Sequence, residues 1–112
     1  MGKGDFLGEL EQLVLLTVVR LRHEAYGMNI RRELSARTKR DVAIGAVYSA
    51  LDRMERKGFL TSASAPPIAE RGGRTRRCFK ATTSGQAALS RSLQVIDALR
   101  GDVTSISRAK TR

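Results

Sequence analysis

The stretch AIGAVYSALDRMERKGFL, Ala43 to Leu60, governs how the rest of the chain reads. Ile44, Val47, Leu51 and Met54 recur at steps of three, four and three residues, the spacing of one face of an α-helix. Gly58 follows as a C-terminal stop. At about 100° per residue, Gly45, Ser49, Arg53 and Arg56 fall opposite the apolar stripe, with Ala46 beside them and Tyr48 at the border between the two faces. That outer face is small at its leading end and cationic further along. A helix entering a groove about 12 Å wide benefits from small side chains where it leads and from arginines able to reach phosphates or guanine edges. An ordinary solvated face is the alternative for this helix alone, and its neighbours shift the balance.

Upstream, FLGELEQLVLLTVVRLR (Phe6 to Arg22) has Leu7, Leu10, Leu13, Val14 and Leu21 at helical spacing, with Asp5 available as an N-cap. The centre of this first helix, Leu13 to Val19, is apolar almost all round and must be covered on more than one side. In so short a chain a second subunit is a candidate cover. A buried strand is the alternative for this run, but helix formers on both flanks favour the helix. HEAYGMNIRRELSART then gives a short second helix that starts at Gly27, repeats apolar residues at Ile30 and Leu34, and ends near Thr38. RDVA, Arg40 to Ala43, is a candidate short strand.

Downstream, TSASA and RRCFKAT are strand candidates on either side of the turn-rich PPIAERGGRT, which makes a hairpin. Arg71, Arg74, Arg76, Arg77 and Lys80 crowd ten residues of it with no acid among them. Cations on a hairpin after a helix-turn-helix can follow a phosphate backbone or enter a narrow minor groove. Uncompensated they repel one another, which favours a ligand over a merely solvated surface. The last segment opens with Thr82 as N-cap and carries Leu89, Leu93, Ile96, Leu99, Val103 and Ile106. Their spacing averages about 3.4, near the 3.5 repeat of paired helices, so a partner helix is expected, with order fading after about Val103.

Bulk properties agree. The 112 residues are one domain's worth. A net charge of +10, with 21 Lys and Arg against 11 Asp and Glu, points to a polyanionic partner. The charge is densest in residues 61–80, which carry +4 in twenty residues. The single cysteine, Cys78, excludes an intrachain disulfide, and nothing at the N-terminus resembles a signal peptide or lipidation signal, so a reducing cytoplasm is expected and no membrane partner. One histidine, His23, and one cysteine make neither a metal constellation nor a defensible triad, so no cofactor, no metal and no catalysis are expected. Cys78 beside Arg77 is a redox-sensor candidate, with a wing cysteine facing the core as the more ordinary reading. A basic RNA-binding or nucleoid-associated protein without operator specificity is a rival, but such binding usually uses exposed aromatics for stacking, and the basic hairpin offers only Phe79.

Together, LGELEQLVLLTVVRL, AYGMNIRREL, VAIGAVYSALDRMERKGFL and ERGGRTRRCFKATTSG, followed by an amphipathic helix, resemble the PadR family of bacterial transcriptional regulators, in its short form with a single C-terminal helix. Cys78 and Ala81 are smaller than the family tends to carry, and Ser49 stands at a frequent proline. The resemblance implies a mainly α fold with a small β-hairpin: a winged helix-turn-helix over residues 1–81 and a dimerisation helix with a basic tail over residues 82–112. It implies a homodimer, usually a repressor, whose third helices lie in successive major grooves of a pseudo-palindromic operator. Carried onto this chain, Tyr26 and Gly27 would receive a phosphate at the start of the second helix. Gly45, Ala46 and Tyr48 would face DNA, Ser49 and Arg53 would reach base edges, and Arg71, Arg74 and Arg76 would be the wing contacts. Leu13 and Leu16 of one subunit would meet Leu89, Leu93, Ile96, Leu99 and Val103 of the other. A small-molecule inducer, often aromatic or amphiphilic in the family, would act near that interface.

Overall fold

A computed structural model describes residues 7–65 and 76–101. Four helices and one two-stranded antiparallel sheet follow in the order α1 (Glu9–Leu21), a short 3-10 turn (Arg22–Glu24), α2 (Gly27–Thr38), α3 (Ile44–Arg56), β1 (Leu60–Ala65), β2 (Arg76–Ala81) and α4 (Thr83–Gly101). The fold is mainly α with a small hairpin, a winged helix-turn-helix extended by a C-terminal helix.

The core is built where the apolar periodicities converge. Val14, Leu15 and Val18 of α1, Ile30 and Leu34 of α2, and Val47, Leu51 and Met54 of α3 are buried together with Phe59, Leu60, Phe79 and Leu89. The stripe expected from α3 is therefore the stripe that is buried, apart from half-buried Ile44 at its first turn.

Two expectations at segment ends are corrected. The N-cap of α1 is Gly8, not Asp5: the Glu11 carboxylate reaches back three residues to accept the Gly8 N–H at 2.9 Å, so the helix start is satisfied from inside. Asp5 itself lies outside the described residues. Arg40–Ala43 forms no strand. Arg31 donates to the Val42 carbonyl at 3.0 Å and the Ser35 hydroxyl accepts the Val42 N–H at 3.2 Å, which fastens this segment to α2 as the helix-turn-helix corner. The extra strand pairing comes from elsewhere: Tyr26 bridges Cys78, and the Phe79 N–H donates to the Ala25 carbonyl at 2.9 Å. The wing is thereby stitched to the start of α2.

α4 is rooted through its first turn. The Thr82 hydroxyl accepts the Gly85 N–H at 3.0 Å, the N-cap expected of it, and donates to the Gly58 carbonyl at 2.7 Å. Gly85 lies so close to the Phe59 backbone that a Cβ there would overlap the Phe59 carbonyl. Gly58, at φ +83°, adopts the left-handed conformation that glycine tolerates at a helix end.

Candidate nucleic-acid interface

α3 turns Gly45, Ala46, Tyr48, Ser49, Arg53 and Arg56 to solvent. Its first turn contains no acid and its N-cap, Ala43, has no capping side chain, so the leading end is small, and the nearest acid before it, exposed Asp41, lies 3.5 Å from Arg31. The Arg31 and Ser35 bonds to Val42 fix the corner just before it, which sets the angle at which α3 projects.

Four of the expected site residues come together at the start of α2. The Tyr48 phenol lies against Gly27, so closely that a Cβ on Gly27 would fall within its hydroxyl and ring. Tyr26 is the N-cap of α2, and the Arg76 guanidinium stands 4.0 Å above its ring centroid, a cation–π contact that brings a wing cation to the helix-turn-helix. Tyr48 is 38% exposed: its ring packs while its edge stays open, the border position expected of it.

Arg53 is placed differently. Its Nε donates to Glu11 at 3.3 Å, and the Lys57 ammonium donates to the same carboxylate oxygen at 3.2 Å. Burial pushes the Glu11 carboxyl up, but the Gly8 N–H and the bonds from Lys57 and Arg53 outweigh it and hold the group below the usual carboxylate range. Sequence reasoning missed Glu11. The signal was present, because Glu11 shares its helix face with Leu7, Val14, Leu15 and Val18, and a carboxylate on that face must find cations.

The wing is less uniformly cationic than its sequence. Arg77 donates to Glu55 at 2.7 Å and to the Ser62 hydroxyl at 2.8 Å, and lies 3.9 Å from Asp52. The acids missing from the hairpin are supplied by α3, so Arg77 anchors the wing to that helix, and the expectation of uncompensated cations fails for this residue. Arg71 and Arg74 lie outside the described residues.

Among the residues expected to pair between subunits, Leu16, Leu93, Ile96 and Leu99 are exposed at 42, 37, 46 and 71%, and Leu13 is half-buried against the core. Leu89 is buried within its own chain at 6% and has little surface left to offer a partner. Val103 lies outside the described residues. A cleft of about 520 Å³ opens between the end of α1, β2 and the start of α4, over Val18, Val19, Phe79 and Ala81. His23 is exposed beside Glu24, and the Cys78 thiol donates weakly to the His23 carbonyl at 3.6 Å. Among the described residues no group of side chains could hold a metal ion, and no helix is long and apolar enough to cross a membrane.

A small-nosed helix held out by a stapled corner, with a hairpin strapped to its flank, defines a reading head of the winged helix-turn-helix class. The PadR-like family of transcriptional regulators matches residues 15–91, and the chain belongs to that family, which is one of regulators and not of enzymes. Solved structures share the fold. A Thermoplasma acidophilum protein assigned as a transcriptional regulator is 22% identical, with 86% of this chain and 89% of its own covered and a TM-score of 0.62. The complex structures of hsRosR-S1 and hsRosR-S4 are 23% and 22% identical, each covering 94% of this chain and 87% and 90% of their own, with TM-scores of 0.68 and 0.64. No curated protein matches the chain.

Proposed function

We propose that this regulator is a sequence-specific repressor that binds a pseudo-palindromic operator as a homodimer in a reducing cytoplasm. The observation that carries the reading is the division of exposed surface. α3 presents small side chains at its leading end, and α1 and α4 present apolar side chains that the other described residues leave exposed. In this reading residues 1–81 form the DNA-reading unit and residues 82–112 the pairing unit. Leu16 and Val19 of one copy meet Leu93, Ile96 and Leu99 of the other, and the two third helices are presented one helical turn of DNA apart.

Base edges are read by Ser49 and Arg53, with Gly45 and Ala46 allowing close approach. The Tyr48 phenol, seated on buried Gly27, and the first N–H groups of α2 after its N-cap Tyr26 meet a backbone phosphate. Arg76, with Arg71 and Arg74 on the segment joining the two strands, grips flanking backbone. A small-molecule inducer acts from the cleft over Val18 and Phe79, whose edge at Val19 belongs to the pairing surface.

Gel shifts against the chain's own promoter duplex, a random duplex and a structured RNA test the reading. Preference for the promoter duplex is expected. Equal binding to all three, or preference for RNA, would instead identify a nucleoid-type or RNA-binding protein.

A further inference from the structure

One buried carboxylate stands behind the reading helix. Glu11, on α1, is 6% exposed, and its cationic partners, 42 and 46 residues away, are Arg53 on α3 and Lys57 at that helix's C-cap. A carboxylate withdrawn from water persists only where its charge is matched. The Gly8 N–H satisfies the helix start and the two cations match the charge, so Arg53 is held by a group that its own helix does not supply. Arg53 is engaged through Nε only: among the described residues its Nη1 and Nη2 have no partner, and its side chain is 45% exposed. Those two nitrogens are the fork that grips a guanine edge or a phosphate. Lys57 also donates to that Glu11 oxygen, and the second oxygen accepts the Gly8 N–H. The carboxylate therefore has a fixed orientation when Arg53 meets it.

Building on the reading of α3 as the recognition helix, we propose that Glu11 is a positioning residue for DNA recognition. It fixes Arg53 by the Nε edge and presents the Nη fork to the major groove already aimed. A long arginine otherwise loses much rotamer freedom when it binds, and a groove-facing cation left mobile contacts phosphates of any sequence as readily as one base pair.

Full-length wild-type protein, Glu11→Gln, Arg53→Ala and the double variant are titrated with the footprinted promoter duplex and a scrambled duplex. Glu11→Gln is expected to lose about tenfold of promoter preference, within the range of a single base contact. Binding to the scrambled duplex holds or tightens, since a negative charge is removed. A variant that merely destabilised the fold would weaken both. In the Arg53→Ala background, Glu11→Gln is expected to change the preference by less than about twofold, because coupled residues are not additive. If Glu11→Gln does not fold, Glu11→Asp keeps the charge but draws it back from Arg53, and the same loss of preference is expected. Unchanged preference in the substituted protein, or an equal loss with and without Arg53, would overturn the proposal. A wild-type chain that fails to discriminate between the duplexes would overturn the recognition reading beneath it, a result visible before any variant is made.

Discussion

α3 and α4 carry comparable numbers of apolar side chains but dispose of them in opposite ways. In α3, Val47, Leu51 and Met54 are buried in the chain's own core, and what faces outward is small, polar or charged apart from the edge of Tyr48. In α4 only the first turns are used this way, through Gly85, Ala88 and Leu89, after which Leu93, Ile96 and Leu99 point to solvent. One helix buries its apolar stripe within a single copy and leaves free the outer face proposed to meet DNA. The other is half finished: its exposed residues keep the spacing of paired helices, which a second copy supplies in the proposed dimer.

The severest way to break this contrast is a charge on the unfinished half. Leu93→Glu is expected to leave the fold intact but to shift the protein to single copies in sedimentation, with promoter affinity falling about 100-fold or more as the two heads are uncoupled. Ala98→Glu is the control: Ala98 is exposed and lies about 100° or more around the helix from each of Leu93, Ile96 and Leu99, and the dimer is expected to persist. Next comes the root of α4. Gly85→Ala sets a methyl group against the Phe59 carbonyl and is expected to cost about 3 kcal/mol in thermal or urea denaturation, whereas Gly101→Ala, with open space around it, is expected to cost nothing measurable.

A smaller effect separates cations that read DNA from cations that brace the fold. Arg74→Ala is expected to weaken all duplexes alike and to make the log–log salt slope shallower by about 0.9 for each phosphate the arginine neutralises. Arg77→Ala, which removes a partner of Glu55, is expected to lower stability with little change in slope. The smallest is acid sensitivity behind α3. Because the folded-state pKa of Glu11 lies below its ordinary 4.5, the stability it supplies is present above that value and is lost as pH falls through the lower folded one. Wild-type stability should decline over that acid range, and the decline should be shallower in Glu11→Gln.

Most of the architecture is legible in the sequence because the helical stripes are long and apolar: Ile44, Val47, Leu51 and Met54 specify both a helix and the side it buries, and Thr82 and Gly58 mark ends by local chemistry. Pairings between segments distant in the chain are less legible. Nothing local to Arg40–Ala43 reveals that Arg31 and Ser35 claim Val42's backbone, so the segment reads as a strand. Nothing local to the hairpin reveals that Glu55 and Asp52 neutralise Arg77. Within the site, the outward face of α3 follows from periodicity alone, while the link from Arg53 to Glu11 needs the packing of α1 on α3. Leu89 belongs to the stripe of α4 by spacing, yet it points into the core because the root of α4 lies against Phe59.

The contrast between a finished α3 and an unfinished α4 is tested most directly by sedimentation equilibrium of the wild-type protein, alone and on its footprinted promoter duplex. Two chains per particle are expected in both cases, with the two copies occupying both halves of one symmetric site. A single chain binding the duplex tightly, with its α4 face still bare, would contradict the account.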